Sequence, residues 1–193
     1  MKNPRGGTVW YVGISRSGKT SLALADLWDD VRETGFPWII LDLARAENFG
    51  MWDHLPSRAA LFRRVFSEGR GGIYTPEEGE DTDLTFAMLH AGGGVHVLID
   101  EAYWICSVNR ITVNLSRCLR DYAHAGGGIG NTYRLTTQHV GDIHRDAFAA
   151  LTEWRVFRCI YDNHLDKLRT YGFNPDEIRA LPQYAHVSQR PGF

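Results

Sequence analysis

The sequence predicts an α/β fold in three layers, a mainly parallel central sheet flanked by helices. Short apolar or β-branched runs alternate with stretches of helical spacing along the chain, the pattern of parallel strands joined by helices. The run Val95–Ile99, apolar except for His96, has the character of a central strand buried on both faces. Glycine-rich breaks at 71–72, 92–94 and 126–128 punctuate the alternation.

Taken in order, Thr8–Val12 is β-branched and aromatic and reads as a buried strand closed by Gly13. Thr20–Val31 follows as a helix, with Leu22, Leu24, Leu27 and Val31 among its apolar positions. Trp38–Leu41 is a second strand, ending at Asp42. Leu55–Phe66 is mixed and helical at first, and Ile73–Thr75 is a short third strand. An acidic loop at 76–83 ends in Asp81 and Asp83, both suited to cap the helix that carries Leu84, Met88 and Leu89. After Val95–Ile99 come a helix over Ile111–Ala125, a strand over Tyr133–Thr137 and a helix over Asp142–Leu151. A strand over Trp154–Tyr161, helices at Leu165–Tyr171 and Pro175–Leu181, and an edge strand at Ala185–Ser188 complete the reading. No repeat or linker divides residues 1–193, which read as a single domain.

Composition excludes several function classes. A net charge of −2 argues against a binder that works by bulk positive charge. The three cysteines, Cys106, Cys118 and Cys159, form no close pair and read as buried free thiols in a reducing compartment. The eight histidines are scattered, and no zinc-ligand spacing appears. No run approaches the ~20 apolar residues of a membrane span, and no signal peptide is visible.

The stretch GISRSGKT, Gly13, Ile14, Ser15, Arg16, Ser17, Gly18, Lys19 and Thr20, fits Gly-x-x-x-x-Gly-Lys-Ser/Thr between a strand and a helix. Glycines let the backbone curl so that its N–H groups converge on phosphate oxygens, and the N-terminal end of the following helix adds positive potential. Through Ser21 this segment is the candidate ATP-binding loop of a P-loop NTPase. Lys19 is placed to reach the β- and γ-phosphates, and the Thr20 hydroxyl to ligate Mg²⁺. The run VHVLIDEA delivers Asp100 and Glu101 at a strand tip. Asp100 is the candidate metal-holding acid, acting through a water, and Glu101 the base that polarises the attacking water. An adjacent acid pair suits hydrolysis, whereas a small-molecule kinase has to exclude water. In YRLTTQHVGDI, Gln138 stands at another strand tip, either as an exposed loop residue or as a hydrogen-bonding partner of the γ-phosphate or the water.

The order of phosphate loop, Asp-Glu strand, arginine-bearing helix, Thr-Gln strand and the tail LDKLRTYGFNPDEIRALPQYAHV resembles the HerA/FtsK superfamily of DNA-pumping ATPases, with a RecA/ASCE-like core. Among its members the bare length is most similar to the genome-packaging ATPases of double-stranded DNA viruses with internal membranes. The resemblance implies that Gln138 is the γ-phosphate sensor and that an arginine of LSRCLRDYAHAGGG reaches the ATP of a neighbouring subunit. Arg120 matches that position more closely than Arg117. It further implies double-stranded DNA as the moved partner, a homo-oligomer with hexameric assembly, a capsid-vertex or membrane protein as a further partner, and a location in host cytoplasm or at the packaging vertex of the virion. Candidate DNA contacts are Arg45, Arg63, Arg64 and Arg70, while Trp10, Trp28, Trp38 and Trp52 have the character of core residues. The competing expectation is a phage assembly or secretion factor of the Zot type, in which nucleotide binding acts as a switch.

Overall fold

The computed structural model describes residues 7–45, 49, 54–78, 80–107, 110–124, 130–148 and 151–190, with 110 and 120–124 described through their backbone. Among the described residues seven strands form one sheet in the order β3-β2-β4-β6-β1-β7-β8. They are β1 (Thr8–Val12), β2 (Trp38–Asp42), β3 (Gly72–Tyr74), β4 (His96–Asp100), β6 (Thr132–Thr137), β7 (Leu151–Phe157) and β8 (His186–Gln189). A two-residue β5 (Arg110–Ile111) stands outside the sheet. Every neighbouring pair in the sheet is parallel except β7 and β8.

Alternation along the central strands divides the core in two. Trp10 and Val12 of β1, Ile39 and Leu41 of β2, Val97 and Ile99 of β4, and Tyr133 and Leu135 of β6 point to one face. There they meet α2 (Arg58–Phe62), α3 (Thr82–Gly92), α5 (Val113–His124), α7 (Asp162–Thr170) and α8 (Pro175–Ala180). The intervening Tyr11, Ile40, Leu98 and Phe157 face α1 (Lys19–Thr34) through its Ala23 and Leu27. Two short helices, α4 (Tyr103–Cys106) and α6 (Arg145–Phe148), lie in the connections on either side of β6.

Polar seams supplement the apolar seat of α1. Asp26 accepts from the Tyr11 hydroxyl and from Arg155 on β7, the latter at 2.6 Å. One turn on, Asp30 pairs with the buried Arg134 of β6. Beside that pair lies His96, its Nδ1 2.9 Å from Thr132 Oγ1 and its Nε2 2.6 Å from Thr34 Oγ1. Gly35 in the left-handed region closes α1 by donating to Val31 O.

Several boundaries differ from the sequence expectation. The helical stretch expected from residue 55 is α2 followed by a π-helical turn, Arg63–Ser67. Asp81 caps α3 as expected, but Asp83 turns away to accept from the backbone N–H and side-chain amide of Asn114, docking α5 on α3. The helix expected over Asp142–Leu151 is replaced by a 3-10 turn, Val140–Asp142, and the four residues of α6. His144 N–H donates to Cys106 O, and Thr152 Oγ1 to Thr8 O, so the chain is already committed to pairing with β1 where the helix was expected to end. The last strand is the antiparallel edge β8, a direction that composition cannot encode.

Candidate functional site

The sheet order sets the site. Strand β6 lies between β1 and β4, so its C-terminal tip stands between the loop after β1 and the acids that end β4. The loop after β1 is tied to its neighbours by two backbone bonds, Gly13 N–H to Thr137 O and Ile14 N–H to Arg158 O. Gly13 is required by close approach: a Cβ there would lie 2.7 Å from Phe157 Cβ. Gly18, at φ 96°, supplies the left-handed turn into α1. Among the described residues no side chain caps the start of α1, so its first N–H groups stay free of a cap.

Within this loop Lys19 is buried, and its Nζ donates to Ile14 O at 2.9 Å. Burial pulls the Lys19 ammonium below its usual range, against the attraction of Glu101 and Asp100. Among the described residues Ser17 Oγ is buried with no hydrogen-bond partner. Ser15, Arg16 and Ser21 are exposed at the loop surface. An uncapped helix start, a buried cation and an orphaned hydroxyl form a cradle that fits an anion.

Thr20 Oγ1 donates to Asp100 Oδ1 at 2.8 Å, joining the start of α1 to the tip of β4. The same oxygen accepts from Thr136 Oγ1 of β6 at 2.8 Å. Burial raises the Asp100 carboxyl above its usual range, and the Thr136 and Thr20 hydroxyls oppose that rise. Glu101 adopts φ 53°, uncommon for a residue with a side chain. Its N–H donates to Thr136 Oγ1 at 2.9 Å, and Ala102 N–H to Thr136 O at 2.9 Å, which hold the bend. Both oxygens of Glu101 are taken by Gln138, from its backbone N–H at 3.1 Å and its side-chain amide at 2.9 Å. Thr20, Asp100, Glu101 and Gln138 are therefore one hydrogen-bonded chain through Thr136.

Two members of this constellation carried little signal in sequence. Thr136 reads as a strand residue, and only the insertion of β6 between β1 and β4 makes it the junction. Asp42, buried at the tip of β2, pairs in register with Asp100 and adds a carboxylate to the same sheet edge. Cys159 lies near enough to Lys19 to feel its charge, and burial pushes its thiol up to about 12. At the far end of the chain, Tyr184 packs over Gly18, its Cδ1 3.1 Å from where a Cβ would stand, so the tail reaches the phosphate loop.

Other candidates are placed differently. Arg120 lies on α5, but its side chain is outside the described residues, and Arg117 on the same helix is exposed. Arg64 Nε is committed to Gly71 O, and Arg45 donates to Pro76 O. Arg63 and Arg70 are exposed. Trp10 is core and Trp28 packs edge-on against Trp38, whereas Trp52 lies outside the described residues. All three cysteines are buried and free. Among the described residues, no helix is long and apolar enough to cross a membrane.

A mostly parallel sheet with helices on both faces and a Gly-x-x-x-x-Gly-Lys-Thr loop running from β1 into α1 is the three-layer P-loop NTPase fold. Comparison with solved structures gives that class a nearer likeness. The genome packaging NTPase B204 from Sulfolobus turreted icosahedral virus 2, in complex with sulfate, superposes with a TM-score of 0.74 at 19% identity over 98% of this chain and 92% of that one. B204 of Sulfolobus turreted icosahedral virus, the DNA-packaging ATPase, gives 0.72 at 18% identity, over 98% and 94%. EssC (ATPases 2 and 3) from Geobacillus thermodenitrificans gives 0.56 at 12% identity, over 95% of this chain and 37% of that one. The fold is thus the one the sequence led us to expect, similar to a viral packaging ATPase and to an EssC ATPase. No protein-family model matches the sequence. No curated protein matches it.

Proposed function

We propose that the chain is a single ATPase domain over residues 1–193 that hydrolyses ATP to move double-stranded DNA into a viral capsid. The observation that carries the reading is the hydrogen-bonded chain from Thr20 through Asp100 and Thr136 to Glu101 and Gln138. It joins a phosphate cradle to a pair of acids as ATP cleavage requires. The likeness to B204, which is described as a packaging NTPase and has been captured with ATP-gammaS, supports the choice of substrate and cargo.

In this reading the free N–H groups at the start of α1 and Ser17 Oγ receive phosphate oxygens. The β- and γ-phosphates add negative charge beside Lys19, which opposes the burial that lowers its proton affinity. Thr20 and Asp100, already 2.8 Å apart, are the pair that would hold Mg²⁺, Asp100 through a water. The bound ion supplies charge neutralisation on the phosphoryl oxygens. Glu101 accepts a proton from water as the water oxygen bonds to the γ-phosphorus and the bond to the bridging oxygen breaks. Gln138 orients Glu101 and senses the γ-phosphate. Arg120 acts on the ATP of a neighbour in a hexameric ring, which works in host cytoplasm or at the packaging vertex with a capsid or membrane protein as docking partner.

One observation favours a nucleotide switch instead. With Gln138 donating to both Glu101 oxygens, each oxygen keeps a second lone pair for a water, and activation of that water competes with the pairing. Turnover with and without double-stranded DNA, measured across concentrations that span assembly, separates the two readings. DNA-stimulated turnover is expected. Lys19→Ala should lose at least ~100-fold in nucleotide affinity, and Glu101→Gln should bind nucleotide but turn over ~10²–10⁴-fold more slowly. Mixing Arg120→Ala with Glu101→Gln subunits should restore some activity. Unaltered turnover in Glu101→Gln would overturn the hydrolytic assignment. Tight binding with no turnover in wild type would support the switch.

A further inference from the structure

Just beyond Gln138 a second cluster of donors lies outside the phosphate site. His139 and Asp142 stand on the tight turn after β6, where Asp142 N–H donates to His139 O at 2.9 Å. His164 comes from the first turn of α7. His139 Nδ1 lies 3.8 Å from Asp142 Oδ2, and His164 Nε2 lies 4.0 Å from the same oxygen. One ligand atom from each residue falls within a 4.8 Å span.

These separations exceed a hydrogen bond. They approach the ~3.4 Å between ligand atoms around a tetrahedral ion with bonds of ~2.0–2.1 Å, so small side-chain rotations close them on a shared ion. The cluster is also built rather than incidental. His164 is buried at 5% exposure, and its Nε2 faces the Asp142 carboxylate across a gap too wide for a hydrogen bond. Rings wall the two imidazoles: Tyr103 lies tilted against His139 at 4.7 Å between centroids, and Tyr161 meets His164 edge-on at 5.5 Å. At Gly141, between the two ligands of the turn, a Cβ would lie 3.0 Å from His164 Cδ2 and 3.2 Å from Asn163 Nδ2, so a larger residue would crowd the His164 ring.

We propose that His139, Asp142 and His164 form a divalent transition-metal site that ties the turn after β6 to α7. Two imidazoles and one carboxylate suit Zn²⁺ over Mg²⁺ or Ca²⁺, which prefer all-oxygen shells, and leave a fourth position for water. The spacing, two residues and then twenty-one, matches no zinc pattern in sequence; the fold alone assembles it. The proposal stands independently of the ATPase reading.

The test uses the full chain stripped with a chelator, returned to millimolar Mg²⁺ to fill the phosphate site, and titrated with zinc sulfate against a chromophoric chelator. One tightly held equivalent is expected, with two imidazole nitrogens at ~2.0 Å by X-ray absorption. Asp142→Asn and His139→Ala, both at exposed or half-exposed positions, should each weaken binding at least ~10-fold. Zinc should raise the melting temperature of wild type but not of Asp142→Asn. No bound equivalent, or one undiminished in both variants, would overturn the assignment.

Discussion

His96 gives the protein a calculable dependence on pH. The imidazole is fully buried on β4, between the Thr132 and Thr34 hydroxyls and beside the Asp30–Arg134 pair. Burial lowers it from 6.5 to about 4; Asp30 opposes the change and Arg134 reinforces it. In the unfolded chain the ring titrates near ~6.5. Between those two values the unfolded state binds the extra proton, so stability is complete above about pH 6.5 and falls as the pH drops toward about 4. At ~1.4 kcal/mol for each pH unit, the loss reaches ~3 kcal/mol, a large part of the stability of a domain this size. Urea unfolding from about pH 7 down to about pH 4.5, with wild type and His96→Gln compared at each point, measures it. His164 and His186 are also pulled down by burial, but they contribute equally to both proteins and cancel in the difference. The gap between the two curves should therefore narrow or reverse on acidification. Parallel curves across that range would refute the reasoning.

Two further outcomes follow from packing at the site. Gly13→Ala forces a Cβ to 2.7 Å from Phe157 Cβ and should cost ~1–3 kcal/mol in thermal or urea unfolding; an unchanged melting temperature would show that the loop yields. Thr136→Val keeps the shape but strips the hydroxyl that serves both Asp100 and Glu101 N–H. It should destabilise by ~1–3 kcal/mol and lower turnover at least ~10-fold, while nucleotide affinity stays near wild type. Equal losses in affinity and turnover would move Thr136 into the phosphate cradle.

Local chemistry explains what was legible from sequence. Strands β1, β2 and β4 announce themselves because a strand buried on both faces must be a short apolar run, and Gly13 to Thr20 because a curled phosphate loop needs glycine at fixed places. Asp81 was readable as a cap because its partner is two residues away. Asp83 was not, because its partner is Asn114, 31 residues on. His96 stood as an interruption in an apolar strand, and Arg134 carried no signal of its own; Asp30, on α1, pairs with the arginine and lies beside the imidazole. The expected helix over 142–151 failed because a bond from His144 to Cys106 and the pull of β1 on Leu151 outweigh local propensity. Thr136 and Asp42 acquire their places only once strand order is known, and strand order is a property of the whole chain.

The Asp30–Arg134 pair has a mechanical side. Helix α1 leaves the phosphate loop at Lys19 and runs ~24 Å to Thr34, while β6 runs the opposite way, from its buried arginine to Gln138. Asp26 at the middle of the helix and Asp30 in its far half tie it to β7 and β6, so the helix is braced against both strands. A shift of the loop's lysine that tilted the helix would strain these ties and so load the strand whose opposite tip holds Glu101.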